Sequence, residues 1–205
     1  MTRWRTRTGL TALVALGGLA LGACGVPIGG TPTVIANRLV NPGALAPPPT
    51  TLPEGTPVYI YLIDASGTPT PFVRQVPPAQ CTNLETLLQR LVAGPDSKEQ
   101  GDGFFSAIPG GTEVLSVTPR SVPTKPLTGP ITVDFNQSFG EVAGAEQVLA
   151  VEQIVYTVNQ LDAGAPLLFE IEGQPTEVPV ATGAQVPRAV SSLDYPGVTP
   201  VSTSC

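Results

Sequence analysis

Thr82-Asn83-Leu84-Glu85-Thr86-Leu87-Leu88-Gln89-Arg90-Leu91-Val92-Ala93-Gly94-Pro95 sets the class of the fold, because it reads as a helix with one side to hide. Leu84, Leu87, Leu88, Leu91 and Val92 recur at i, i+3, i+4, i+7 and i+8, a single apolar face at helical period. Thr82 and Glu85 stand at capping-box spacing, the hydroxyl placed for the N3 amide and the carboxylate for reaching back. Gly94-Pro95 stops the helix. Such a helix must cover its apolar face with another element, and its flanks supply strands.

Upstream, Val58-Tyr59-Ile60-Tyr61-Leu62-Ile63 is β-branched and aromatic and ends in the turn cluster Asp64-Ala65-Ser66-Gly67. Phe72 to Val76 returns as its hairpin partner, and Pro77-Pro78 cannot donate to a ladder. Downstream, Asp96 to Gly103 is polar and long enough for one helical turn. Glu113–Thr118 and Ile131–Phe135 are strand-like and read as a long hairpin across the Pro119–Pro130 loop. A second helix is predicted from Ala145 to Leu161, with Val148, Val151, Ile154, Val155, Val158 and Leu161 buried and Glu146, Gln147, Glu152 and Asn159 outside. Leu167, Phe169 and Ile171 then alternate along a strand, and Gly173-Gln174-Pro175 turns the chain into Thr176–Val180. From Ala181 the chain reads as loop, anchored at Asp194-Tyr195. The order is ββ-α-ββ-α-ββ, an α+β two-layer sandwich of two helices on one face of a mostly antiparallel sheet.

The amino terminus states a compartment. Arg3, Arg5 and Arg7 precede an apolar run from Leu10 to Leu21, the pattern of a signal segment. Leu21-Gly22-Ala23-Cys24 resembles the lipobox of bacterial lipoproteins, which implies cleavage after Ala23, acylation of Cys24 and a membrane contact through that lipid. The alternatives are an ordinary secretory signal with an incidental cysteine and a transmembrane anchor, for which about a dozen apolar residues are too few to cross a core of roughly 30 Å. Residues 1–23 are therefore expected to be removed. Residues 24–57 carry the lipidated cysteine and a proline-rich, extended tether that includes Pro47-Pro48-Pro49. Residues 58–182 form the domain, and 183–205 a tail docked on it. With Cys24 assigned to lipid, Cys81 and Cys205 remain, on the oxidising side of a membrane, and a disulfide between them is expected.

Composition excludes several chemistries. The full chain has a formal charge of −6, and without residues 1–23 it keeps seven basic and sixteen acidic residues, a charge of −9. So acidic a surface does not hold nucleic-acid phosphates. There is no histidine, which removes Ser-His-Asp, Cys-His and His-metal sites. Asp134 and Glu141 are the one carboxylate pair to weigh for glycoside cleavage, and a turn or cap bond explains Asp134 equally well. Gln100-Gly101-Asp102-Gly103 has too few oxygen ligands for calcium. Ser97-Lys98 and Ser121 to Lys125 miss the spacing of serine-lysine acyl enzymes. No cofactor or metal is expected. Tyr59, Tyr61, Phe104, Phe105 and Tyr195 are candidate walls of a binding groove, with a place in the core as the alternative.

Taken in order, Val58–Leu62, Leu84 to Gly94-Pro95, Ala107-Ile108-Pro109-Gly110-Gly111-Thr112, Leu115-Ser116-Val117, Thr132-Val133-Asp134-Phe135, Gln153-Ile154-Val155-Tyr156-Thr157 and Phe169-Glu170-Ile171-Glu172-Gly173 resemble a GerMN domain, the sporulation and spore germination module. The resemblance covers roughly Val58 to Val180. It implies extracytoplasmic, commonly lipid-anchored proteins of Gram-positive bacteria, and the Gly-, Pro- and Ala-rich composition fits the actinobacterial type. It brings no catalytic residue. The expected function is a non-enzymatic, lipid-anchored protein on the outer face of the cell membrane that binds another envelope protein. The alternative is a lipoprotein that binds a small ligand or cell-wall glycan.

Overall fold

The structure, a computed structural model, describes residues 55–122 and 127–205. The signal segment, Cys24 and nearly all of the tether expected over 24–57 lie outside the described residues, as does part of the Pro119–Pro130 loop.

The apolar run and its return pair antiparallel as β1 (Thr56–Ile63) and β2 (Pro69–Val76), with Tyr59 opposite Val73 and Ile63 opposite Pro69. Asp64 closes the turn between them, accepting from the amides of Ser66 and Thr68 at 2.8 and 2.9 Å. Gly67 takes the left-handed conformation (φ +83°) that this turn needs.

Helix α1 (Leu84–Val92) buries Leu84, Leu87, Leu88 and Leu91 as its period demands. Its cap is Asn83, which accepts from Thr86 N at 2.9 Å, and not Thr82. The displacement has a physical cause. The Thr82 carbonyl accepts from Val122 N and the Leu84 amide donates to Arg120 O, so residues 82–84 are drawn into strand-like pairing and the helix starts one residue later. The polar stretch after Gly94 forms α2 (Ser97–Gly101), closed by a capping box between Asp96 and Glu99. Glu99 is buried because both its oxygens take the Arg74 guanidinium, at 2.8 and 2.7 Å, which ties α2 to β2.

β3 (Val114–Thr118), β4 (Ile131–Phe135), β5 (Leu167–Ile171) and β6 (Gln174–Thr176) make a four-stranded sheet in that spatial order. β3 is antiparallel to β4 with a bulge between Val114 and Ser116, and β4 is parallel to β5, Ile131 opposite Leu167. Helix α3 (Gly144–Asn159) is the crossover between the parallel strands, as a parallel pair requires. A further hairpin, β7 (Val178–Pro179) with β8 (Gln185–Val186), follows.

The α+β class is thus present, with three α-helices and three sheets among the described residues in the order ββαα-ββ-α-ββββ, and the two-helix order ββ-α-ββ-α-ββ on one sheet is corrected. The reason lies in α3. It packs on β1, α1 and β7, and from Ala150 onward it is buried on more than one side. Asn159, expected outside, is 1% exposed, its side chain donating to Ala165 O and accepting from Ser192 N. A helix enclosed in this way is not the amphipathic lid of a two-layer sandwich. Among the described residues no helix is long and apolar enough to cross a membrane.

Candidate functional site

The outer edge of β1 shows how completely the interior is closed. Tyr59, Tyr61 and Ile63 turn their backbone groups away from β2, and each finds a partner. Tyr59 N donates to Gln160 Oε1 at 2.7 Å while Gln160 Nε2 donates back to Tyr59 O. Tyr61 N donates to Thr157 Oγ1 at 3.1 Å, and Gln153 Nε2 donates to Tyr61 O at 2.7 Å. Ile63 exchanges both bonds with Phe105. Gln153, Thr157 and Gln160 stand at i, i+4 and i+7, so one helix face substitutes for a neighbouring strand. On the other side of the hairpin, Pro69 and Pro71 face outward and have no amide to offer. The outer edge of β1 is closed to strand addition, and the two prolines blunt the start of the β2 edge.

The five aromatic residues do not form a groove. Tyr61 and Tyr195 are fully buried, Tyr59 and Phe104 are half-buried, and Phe105 is exposed. Three of the rings have a structural task instead. Tyr61 OH accepts from Val201 N at 2.7 Å, Tyr195 OH donates to Pro179 O at 2.6 Å, and Phe104 meets Phe72 edge-on at 4.7 Å. Tyrosine suits these positions because its body is apolar and its one polar atom needs only one partner. Tyr156, which the sequence did not single out, joins them by donating to Tyr195 O.

Burial pushes the hydroxyl pKa of Tyr61, Tyr156 and Tyr195 up in every case. The unfolded value is near 10, so the protonated, buried form stabilises the fold below about pH 10 and that stability is lost as pH rises beyond it. In an alkaline titration these three tyrosines should ionise only together with loss of near-ultraviolet circular dichroism. Ionisation of all of them near pH 10 in a still-folded chain would contradict the burial.

Cys81 and Cys205 are joined by a disulfide, Cα atoms 5.7 Å apart across a sequence separation of 124. It staples the tail where Thr203 N donates to Gln160 O and Thr203 Oγ1 bonds Gln160 Oε1.

The carboxylate pair does not assemble. Asp134 Oδ1 accepts from Gly173 N at 3.0 Å and so holds the β5–β6 turn. Glu141 is exposed beside Phe105 and Glu146, in a separate hollow. Among the described residues no group of three or more metal-binding side chains occurs.

Among the described residues the best-built surface feature is the turn over Ser191–Tyr195, expected from the sequence as an anchor in a loop. Ser191 N donates to Asp194 Oδ2 at 2.9 Å, Leu193 N to Ser191 Oγ at 3.3 Å, and Ser192 N to Asn159 Oδ1 at 2.9 Å. Arg188 grips both oxygens of Asp194, at 3.2 and 2.5 Å. This guanidinium holds the Asp194 carboxyl below the usual carboxylate range, against the opposing effect of burial. Tyr195 roots the turn in the core. On top stands Leu193, 85% exposed. Beside it lies a hollow of about 260 Å³ walled by Leu168, Glu170, Pro175, Glu177, Pro187 and Arg188. Knob and hollow share Arg188, which makes them one surface. Its only sequence signal is the Ser191 to Asp194 capping spacing.

Comparison places this architecture. The model of a family described as Germane, sporulation and spore germination, matches residues 57–177. The first GerMN domain of the sporulation protein GerM from Bacillus subtilis is 23% identical, with 66% of this chain and 96% of that one covered and a TM-score of 0.49. The tandem GerMN domains of the same protein are 21% identical, with 70% of this chain and 50% of that one covered and a TM-score of 0.50, so the chain spans half of the tandem. At 21% identity the likeness to the tandem domains is one of fold alone. No curated protein matches the chain. The match over most of the folded residues identifies the chain as a member of the Germane family, the sporulation and spore germination domains.

Proposed function

We propose that this protein is a lipid-anchored, non-catalytic component of the outer face of the cell membrane, and that its Germane domain binds another envelope protein. What supports the binding role most directly is Leu193. Its side chain is exposed, but the backbone turn that carries it is held by three side-chain-to-backbone bonds and a two-point ion pair. An apolar residue presented on a turn that is already held needs little backbone ordering on docking. The lipobox-like Leu21–Cys24 supports the membrane side, since anchoring raises the effective concentration of partners in the same plane. A small-ligand or glycan role is served less well. A hollow of about 530 Å³ between Gly144–Leu149 and Ala181–Gln185 has no titratable side chain in its lining and few converging polar groups.

The test is crosslinking in intact cells, with the full chain compared against Leu193→Ser and Cys24→Ala. Leu193→Ser should lower capture of the partner at least tenfold with an unchanged melting temperature. Cys24→Ala should leave the membrane fraction. Undiminished capture by Leu193→Ser sinks the surface assigned here, and a processed, membrane-bound Cys24→Ala sinks the anchor.

A further inference from the structure

The hollow beside Leu193 has a chemistry of its own. Leu168 and Glu170 stand two apart on β5, so both project from the same face of the sheet. The chain from Pro175 to Val178 and the pair Pro187-Arg188 close the other walls. These walls are held from outside the hollow: Val190 and Leu167 exchange two backbone bonds at 2.7 and 2.8 Å, and Arg188 is fixed on Asp194. At about 260 Å³ the space falls below the roughly 300–1,000 Å³ of sites that take a small molecule, and it suits one long side chain.

Its charge is one-sided. Glu170 and Glu177 both line it, and neither forms an ion pair among the described residues. Arg188, the one basic residue of the lining, is already engaged by Asp194. Glu170 also stands opposite Asp134 in the β4–β5 register, on strands about 4.8 Å apart, so two carboxyl groups neighbour each other where a cation would relieve their repulsion. Leu168, Pro175, Val178 and Pro187 make the rest of the lining apolar. Apolar walls with carboxyl groups among them complement a side chain that has an apolar stem and a cationic head.

We propose that the partner presents a long basic side chain, arginine or lysine, which enters this hollow with its stem on Leu168, Pro175 and Pro187 and its charge beside Glu170 and Glu177, next to an apolar residue that covers Leu193. This contact, which rests on the reading of Leu193 as a docking knob, specifies a partner surface with basic and apolar residues side by side. The acidic chain, formal charge −6, favours the approach of such a surface.

Titration of the full chain with N-acetyl-arginine amide, followed by backbone amide NMR shifts, reads the hollow directly. Saturable shifts should gather at Leu168, Glu170, Glu177 and Arg188, and the neutral isostere N-acetyl-citrulline amide should bind about fivefold more weakly or worse. Glu170→Gln with Glu177→Gln should weaken the arginine probe to the same degree at an unchanged melting temperature. Glu141→Gln with Glu146→Gln, which removes equal charge from a separate hollow, should not. Absence of saturable shifts, equal binding of the two probes, or equal loss in the two double variants overturns the proposal. Crosslinking in intact cells separates it from the surface beneath it. Capture lost with Leu193→Ser and with the Glu170 and Glu177 pair supports both. Capture lost only with Leu193→Ser keeps the surface and overturns the basic contact, whereas capture undiminished by Leu193→Ser overturns the surface and the contact with it.

Discussion

Cys205→Ser should destabilise the oxidised full chain by about 4–5 kcal/mol, the chain-entropy value for a cross-link closing a loop of this length. The separation of 124 residues puts most of the folded domain inside the loop. Cys205 is the side to change. It is exposed, so its replacement removes the cross-link without a packing loss, whereas Cys81 is 2% exposed and a serine there would add a buried hydroxyl. The tail should respond first, with Thr203 N, bonded to Gln160 O, losing its exchange protection before the sheets do. Total stabilities are about 5–15 kcal/mol, so the change should be plain in urea unfolding. A loss below about 1 kcal/mol would mean that the unfolded chain is not constrained by the bond.

Gln153→Leu is the second large effect. Gln153 is fully buried and bonded at both ends, Nε2 to Tyr61 O at 2.7 Å and Oε1 from Ala107 N at 2.8 Å. Leucine fills nearly the same volume, so the change isolates the polar part. It leaves two backbone groups unpaired at about 1–3 kcal/mol each, a loss of about 2–6 kcal/mol. Thr157→Val, which strips only the acceptor for Tyr61 N, should cost about half as much, about 1–3 kcal/mol. Gln147→Leu makes a control, because Gln147 reaches only the exposed Gln185, and its effect should stay within about 0.5 kcal/mol. Equal effects for Gln153 and Gln147 would show that the outer edge of β1 is not held by α3.

The contrast between α1 and α3 explains how much of this fold could be read in advance. In α1 the apolar residues occupy one face and the structure buries that face, because a helix on the outside of a domain has one covered side. In α3 the polar residues Gln153 and Thr157, with Gln160 beyond its last turn, would ordinarily mark the solvent side. Here they are buried, since an unpaired strand edge needs donors and acceptors as much as a core needs methyl groups. Burial of a polar residue depends on what lies opposite, and periodicity carries no record of that.

The parallel pairing of β4 and β5 has a sequence signal, because a helix between two strands of one sheet implies a crossover. The aromatic residues were not. Tyr61 and Tyr195 have the same composition signal in a groove or a core, and only the Val201 amide and Pro179 carbonyl beside their hydroxyls decide between the two. Leu193 is harder still, an apolar residue in a segment without periodicity, given a role by Asn159 and Arg188 from elsewhere in the chain.

Local chemistry settled everything that a few consecutive residues can specify: the first helix and its stop, the Asp64–Gly67 turn, the strand alternations, the absence of histidine chemistry and the lipobox-like start. These depend on backbone geometry and side-chain spacing over one or two turns of chain. The parallel pair β4–β5, the inward polar face of α3, the closed outer edge of β1 and the presentation of Leu193 came from contacts between segments tens to more than a hundred residues apart. They were decided only where the chain met itself, because pairing a buried polar atom is a property of two surfaces and not of either stretch alone.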